Sequence, residues 1–216
     1  MSKILIATAF LAASTGGAIP RTLLDLAGAA PPSFDRDRAA LVIIDAQREY
    51  RSGVLPLTGF DAALARIMSL RKWAHANGVP VIHVQHVARA GSAAFAEGSA
   101  GAEIVPELTP APGESVVTKR LPNSFAGTDL ETVLARDGRR LLVLTGFMTH
   151  MCVEATARAA LDRNYTSFVV ADATATRELT APDGALLPAD AVGRHALAAI
   201  ADRFGWIVSS RWIGAR

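Results

Sequence analysis

The sequence predicts an α/β fold, a Rossmann-like three-layer αβα sandwich with a six-stranded, mainly parallel sheet. From residue 40 onward, short apolar runs rich in β-branched residues alternate with longer segments of helical periodicity, which is typical of βαβ units. Most of these runs are continuously hydrophobic, as expected for strands that helices cover on both faces. Of the 216 residues, 50% are hydrophobic and 19% are charged, a composition that can bury the core of one large domain.

Six segments have the length and composition of strands: residues 40–45, 79–85, 115–119, 140–146, 167–172 and 206–209. Three longer segments, residues 61–77, 149–163 and 189–204, have helical periodicity or are rich in alanine. Gly78 and Pro80 end the first of them, which we interpret as a crossover helix between two parallel strands. Without an internal repeat or a linker, residues 21–216 are predicted to form one domain.

A fourth helix and a long loop complete the pattern. Thr128 and Glu131 match a capping box, in which each side chain would satisfy a backbone N–H group at the start of a short helix ending near Asp137. Residues 88–114 contain Gly and Pro throughout and predict a loop. A loop of that length in a compact domain is usually a lid or a binding loop, so we expect it to cover the functional site.

Charge and cysteine content narrow the function classes. The formal charge is +2, and 22 Lys and Arg are scattered among 20 Asp and Glu, so no nucleic-acid surface is predicted. The absence of a P-loop or a GxGxxG pattern gives no support for a nucleotide cofactor. Cys152 is the single cysteine, which excludes an intrachain disulfide and a CxxC pair. It is interpreted as a buried core residue, a reactive thiol or an intermolecular link.

Residues 1–20 stand apart as an N-terminal extension. The apolar run from Ile4 to Ala13 follows Lys3 and has the proportions of a secretory signal, although one lysine makes a weak n-region. The run is too short to span a bilayer. We interpret it as an extra helix or arm of a cytoplasmic protein that does not act at a membrane, with export as the less favoured alternative.

Three residues of complementary chemistry follow predicted strands. Asp45 ends the first strand, Lys119 ends the third, and Cys152 lies in the opening turn of the helix after the fourth. In an open parallel sheet, ligands bind at the carboxyl ends of the strands, so these side chains are expected to converge. Each has a simpler explanation: a loop cap, a solvated strand end and a small core residue. Together they predict a thiol whose pKa is lowered by the ammonium and the helix N-terminus, with the carboxylate as proton acceptor.

Three segments resemble a known family. Residues 144–153, Leu-Thr-Gly-Phe-Met-Thr-His-Met-Cys-Val, resemble the nucleophile loop of the isochorismatase-like cysteine hydrolases, a superfamily that includes nicotinamidases, N-carbamoylsarcosine amidases and streptothricin hydrolases. Residues 41–47 look like that family's first strand, and residues 117–130 like its lysine segment. The similarity runs in order from about residue 21 to residue 210.

The resemblance implies a catalytic triad of Asp45, Lys119 and Cys152 on the isochorismatase-like hydrolase fold. It also implies a non-proline cis peptide between Phe147 and Met148, which would direct the amides of Met148 and Cys152 toward a developing oxyanion. Homodimers or homotetramers are expected. The candidate substrate-pocket residues are Gln47, Tyr50, His86, Phe125 and Thr149.

The histidines depart from the nicotinamidase pattern. Nicotinamidases of this family carry a metal on an Asp-x-His motif and a further histidine, whereas the corresponding stretch here holds only His83 and His86. Those two cannot close a metal site, so no metal and no other cofactor are predicted. His83 is interpreted as a hydrogen-bonded structural residue and His86 as a pocket residue. His150 is an alternative base for Cys152, but residues two positions apart do not face each other on a helix.

The predicted activity is hydrolysis of a small amide, carbamoyl or lactam substrate at its C–N bond, through a thioester on Cys152. Two alternatives remain at this point. One is vinyl-ether hydrolysis of the isochorismate type, which needs an acid but no thiol. The other is a binding protein on the same fold that catalyses nothing.

Overall fold

The computed structural model of the chain describes residues 19–216, so the predicted extension, residues 1–20, lies almost entirely outside the described residues. The strands are β1 (Ala39–Ile44), β2 (Val81–His86), β3 (Ser115–Lys119), β4 (Leu141–Phe147), β5 (Thr166–Ala175), β6 (Leu179–Thr180), β7 (Leu186–Leu187) and β8 (Trp206–Val208). Six of them form one parallel sheet in the order β3-β2-β1-β4-β5-β8, and β6 and β7 form a separate antiparallel pair. The predicted fold class and all six predicted strands are confirmed.

Helices cover both faces of the sheet. They are α1 (Leu23–Leu26), α2 (Glu49–Ser52), α3 (Phe60–Ala76), α4 (Leu130–Arg136), α5 (Glu154–Asp162), α6 (Ala189–Arg203) and α7 (Ser210–Gly214). Alternate residues of β1 serve opposite layers, since Leu41 and Ile43 pack with α3 and α7 while Val42 and Ile44 pack with α4, α5 and α6. All six residues of β1 are buried, which accounts for its continuous hydrophobic run.

The helix predictions hold for α3 and α6, but the start of two others differs. The capping box is wrong, because Asp129 occupies the N-cap of α4 and makes no side-chain cap bond. Thr128 instead donates its hydroxyl to the Ser124 carbonyl at 2.6 Å, and Glu131 lies 3.5 Å from Arg163. The segment after β4 begins with a π-helical turn, Thr149–Val153, before α5. Short elements such as α2, α7 and the β6–β7 pair were not predicted.

The long loop between β2 and β3 is confirmed as a loop with two 3-10 turns, Ala100–Ala102 and Pro106–Leu108. Its second half is fixed to the sheet edge by backbone contacts, including a hydrogen bond from the Val105 amide to the Ala46 carbonyl at 2.9 Å. Among the helices that the structure describes, none combines the length and apolar character needed to cross a membrane.

Candidate active site

The three residues predicted to be catalytic lie together at the carboxyl edge of the sheet. Asp45 directly follows β1, Lys119 is the last residue of β3, and Cys152 lies in the π-helical turn after β4. β1 lies between β2 and β4 in the sheet, so the carboxylate and the thiol come from neighbouring strands. The long lysine side chain reaches them from β3, across the end of β2.

Lys119 contacts both of its predicted partners. Its Nζ atom lies 2.8 Å from Asp45 Oδ2 and 3.3 Å from Cys152 Sγ, and it donates to the Leu121 carbonyl at 3.1 Å. The side chains of Asp45 and Lys119 are both 0% exposed, and Cys152 as a residue is 5% exposed. The arrangement is therefore a buried ion pair with a thiol beside its cation.

The predicted lowering of the thiol pKa is wrong for this structure. Burial raises the pKa of Cys152, and the Asp45 carboxylate raises it further, to about 12, although the Lys119 ammonium acts in the opposite direction. Burial also raises the pKa of Asp45, against the lowering effect of Lys119. The proton thus rests on sulfur, next to a carboxylate whose affinity for a proton is increased.

The backbone around the site has two unusual conformations. Gly146 has φ +104°, and a Cβ atom there would lie 2.0 Å from the Ile44 carbonyl oxygen, so β4 and β1 can approach only without a side chain at this position. Asp45 itself has φ +47°, which is uncommon for a residue other than glycine. The close contact of the two strands sets the spacing between the loops that carry Asp45 and Cys152.

The predicted cis peptide between Phe147 and Met148 is present. It precedes the π-helical turn, in which the Val153 amide donates to the Met148 carbonyl at 3.2 Å. Within residues 19–216, the structure shows no backbone acceptor for the Met148 amide.

Two of the five predicted pocket residues lie near the candidate catalytic residues. Tyr50 packs against Phe147, the first residue of the cis peptide, with 6.0 Å between ring centroids, and burial and then the Asp45 carboxylate raise its pKa. His86 Nδ1 lies 3.4 Å from Lys119 Nζ. Burial, and then the charge of Lys119, lower the pKa of His86 to about 4, so the ring is neutral at pH 7.

The other three predicted pocket residues have different surroundings. Gln47 is fully buried and uses its side-chain amide on backbone, donating to Ala102 and His86 carbonyls at 2.7 and 2.8 Å and accepting from the His86 amide at 2.9 Å. It fixes the long loop to β2 and offers no free polar atom to a substrate. Phe125 packs with Tyr165, at 5.6 Å between ring centroids, in the layer that contains Cys152. Thr149 borders a separate cavity of about 250 Å³, whose lining includes none of the three candidate catalytic residues.

Two histidines, His150 and His83, each have a ring nitrogen occupied by a hydrogen bond. His150 Nδ1 is hydrogen-bonded to Thr176 Oγ1, so the ring is held away from the role of base to Cys152. His83 is buried, with Nε2 3.0 Å from Glu114 Oε2, which confirms a hydrogen-bonded structural residue. In the described part of the chain, no group of three His, Cys, Asp or Glu side chains is arranged to hold a metal ion.

Sequence reasoning missed Arg177 and Phe95. Arg177 lies two residues after β5, its buried Nε atom has no acceptor within residues 19–216, and its charge influences the pKa of Tyr50 and of His150. No local pattern indicates it. Phe95 packs against Tyr50 and His86, with ring centroids 5.0 and 5.3 Å away. The sequence alone could have singled out Phe95, because it is the single aromatic residue in a loop rich in Ala, Gly and Ser.

Comparison with known proteins identifies the family of the chain. The family model described as isochorismatase domain matches residues 39–211. The chain is 41% identical over 184 residues to the secreted isochorismatase effector Isc1 of Verticillium dahliae, covering 85% of this chain and 94% of that protein. It is 31% identical over 179 residues to the ureidoacrylate amidohydrolase RutB of Methylorubrum extorquens, covering 67% of this chain and 72% of that protein. The crystal structure of an isochorismatase from Pseudomonas putida is similar with a TM-score of 0.85 and 38% identity, covering 90% of this chain and 99% of that one. The chain therefore belongs to the isochorismatase family of hydrolases, which includes amidohydrolases.

Proposed function

We propose that the protein hydrolyses a small amide-type C–N bond, in an amide, carbamoyl or lactam group, through a thioester on Cys152. One observation carries this proposal: the Lys119 ammonium lies 2.8 Å from the Asp45 carboxylate and 3.3 Å from the Cys152 sulfur in a buried site. A nucleophile, a proton acceptor and a cation in contact are the groups that acyl transfer needs.

In the proposed mechanism, Asp45 accepts the thiol proton while Cys152 Sγ attacks the carbonyl carbon. The raised pKa of Asp45 suits it to this role, and Lys119 offsets the charge that passes between carboxylate and sulfur. Asp45 then gives the proton to the leaving nitrogen as the C–N bond breaks. A water molecule next gives a proton to Asp45 and adds to the thioester, and the acid product leaves as the proton returns to sulfur.

The amides of Met148 and Cys152 are proposed to stabilise the oxyanion formed in both additions. Support comes from the Met148 amide, which within residues 19–216 has no backbone acceptor. One donor of this kind typically lowers the barrier by about 3 kcal/mol, because it points at the position where charge develops.

Arg177 supports a substrate that also bears a carboxylate. In the described structure the buried Nε atom of Arg177 has no acceptor and its Nη1 atom donates to the Glu178 carbonyl at 3.3 Å, so the guanidinium keeps donors that can bind an anionic group. Ureidoacrylate, the substrate named for the Methylorubrum relative, combines a ureido nitrogen with a carboxylate. We therefore propose small ureido or amido acids as the first substrates to test. Arg177→Gln should raise KM for such acids more than for their neutral methyl esters.

The decisive experiment is a screen of small amides, ureas and lactams for release of ammonia or amine, run beside Cys152→Ala and Cys152→Ser. Both variants should lower turnover at least about a hundredfold while circular dichroism and the melting temperature stay unchanged. A Cys152→Ala enzyme with a rate near that of the wild type would eliminate the thioester mechanism.

A second candidate function comes from the Verticillium relative, which is named an isochorismatase. Vinyl-ether hydrolysis needs the acid Asp45 but no thiol, so isochorismate turnover that survives Cys152→Ala would favour it. If neither amides nor isochorismate react, the non-catalytic binding protein gains support.

We further propose a homodimer or homotetramer and a cytoplasmic location. Exposed apolar side chains in the π-helical turn and in β7 support association of copies. They are Met151, Leu187 and Leu186, which are 40%, 38% and 63% exposed. Light scattering after size exclusion measures the mass of the assembly. The Verticillium relative is named as secreted, so fractionation of cells producing a C-terminally tagged chain is the test of location.

A further inference from the structure

Phe95 is an isolated anchor in an otherwise exposed segment. Between residues 87 and 101 it is the one buried residue, with 7% of its surface exposed. The residues on either side are small or charged, so no adjacent large apolar side chain could take its place: Ala93, Ala94, Ala96 and Glu97. Phe95 is therefore the main apolar anchor of this segment, beside the partly buried Ala88 and Ala94.

The ring contacts the reaction centre through two residues. Its centroid lies 5.0 Å from that of Tyr50 and 5.3 Å from that of His86, both in edge arrangements. His86 lies 3.4 Å from Lys119, and Tyr50 packs against Phe147, with 6.0 Å between ring centroids, at the start of the cis peptide. Phe95 is thus one side chain away from Lys119 and one side chain away from the backbone that leads to Cys152.

The backbone holds the ring in this position. Phe95 has φ +54°, a left-handed conformation that is uncommon for a bulky residue and persists only where surrounding contacts enforce it. The Ala88 amide donates to the Phe95 carbonyl at 2.8 Å, and the Glu97 amide donates to the Ala88 carbonyl at 3.2 Å. The turn is therefore pinned to the chain that leaves β2, with the aromatic side chain directed inward.

We propose that Phe95 is a specificity-determining residue that limits the size of the molecules reaching Cys152, and so restricts the substrate to small, flat acyl groups. Cys152 is 5% exposed and packs in the layer of α4 and α5, and Phe95, Tyr50 and His86 form an aromatic group that reaches Lys119 from the loop side. The restriction to acyl groups rests on the proposed amidase function. The limit on access to the thiol does not.

Alkylation of the single cysteine tests access without requiring turnover. Rates with iodoacetamide and with N-benzyliodoacetamide are measured at pH 9, each divided by its rate with N-acetylcysteine. Phe95→Ala should raise the ratio of bulky to small reagent at least about tenfold, and Phe95→Leu about threefold, because the neighbouring alanines cannot close the gap. Cys152→Ala shows any background labelling.

Phe34→Ala is the matched control, since Phe34 is a partly buried aromatic residue that packs among Trp73, Phe168 and Trp212. Its loss should leave the ratio unchanged. A ratio that changes less than twofold in Phe95→Leu, with native circular dichroism, overturns the proposal, and this milder variant decides if Phe95→Ala does not fold. Should no amide be turned over, the proposed function fails while the ratio still reports on Phe95.

Discussion

Two of the buried carboxylates that the structure describes, Asp45 and Glu114, have opposite surroundings. Glu114 has a side chain that is 4% exposed and accepts hydrogen bonds from Arg71 at both oxygens, from the Ala111 amide at 2.7 Å, and from rings of His75 and His83. Asp45 is 0% exposed, and in the described structure neither of its oxygens has an aligned hydrogen-bond donor, although Lys119 lies 2.8 Å away.

The pKa values follow from these surroundings. Burial disfavours the charge of both groups, but the hydrogen bonds to Glu114 outweigh it and lower the pKa to about 2 from an ordinary 4.5. At Asp45 burial prevails over Lys119, and the pKa is raised. Glu114, whose oxygens accept several hydrogen bonds, stays ionised and joins α3, β2 and the end of the long loop. Asp45 accepts fewer and can therefore take up a proton.

Asp45→Asn should produce the largest effect on activity. Turnover should fall at least about a hundredfold, because the amide cannot accept the thiol proton. Alkylation of Cys152 at pH 8 should become faster, since the charge of Asp45 raises the thiol pKa. Iodoacetamide rates and amide turnover measure the two effects. Slower alkylation in Asp45→Asn would contradict the electrostatic assignment.

Glu114→Gln should show the reverse pattern, with lower stability and nearly unchanged turnover per folded molecule. A pKa of about 2, against 4.5 for an ordinary glutamate, corresponds to about 3 kcal/mol at neutral pH, or a fall in melting temperature of roughly 6–12 °C. The stabilisation is fully present above pH 4.5 and is lost as the pH falls toward 2. The difference in melting temperature between the two proteins should therefore shrink below pH 4.5, and a difference that persists at pH 2 would refute the linkage.

Lys119→Met should lower both activity and thiol reactivity. The variant keeps the packing of the lysine stem and removes the cation that opposes the raised pKa of Cys152. Alkylation at pH 8 should slow about tenfold, in the direction opposite to that of Asp45→Asn. An unchanged pH dependence of alkylation would mean that Lys119 is only a packed strand end.

Exhaustive chelation should have the smallest effect, below about twofold on turnover, because the proposed nucleophile and oxyanion donors need no metal. Zinc or iron that restored an activity lost on chelation would count against the proposed mechanism.

Local sequence patterns were sufficient for the sheet and for the location of the site. Hydrophobic runs ending in Asp45 and Lys119, and a cysteine after a Gly-containing strand end, can be recognised without coordinates. The sequence could not predict whether the pKa of Cys152 is raised or lowered, because the shift depends on how completely the fold removes the thiol from water. The sequence indicated a lowered value because it showed the lysine and the helix start but not the burial.

The remaining errors also come from contacts between distant segments. Gln47 was a candidate pocket residue, but its side-chain amide is bonded to Ala102, which lies in a loop whose path no local pattern fixes. The Glu114 cluster joins residues from α3, β2 and the loop, so its members are far apart in the sequence. The capping box is absent because α4 begins one residue later, so the Thr128 oxygen accepts from the Leu130 amide at 3.3 Å and Glu131 is directed toward Arg163.

The close contact between Gly146 and Ile44 has a consequence for how substrate preference can change. It fixes the candidate acid and nucleophile in the middle of the sheet, apart from the loop that borders the site. The spacing of acid and nucleophile is set where β1 and β4 touch in the middle of the sheet, so a side chain at position 146 is expected to lower activity toward every substrate alike. Residues 89–98 lie before the part of the long loop that is bonded to Ala46 and Gln47, so their exchange for the segment of a relative is expected to change substrate preference without moving either group.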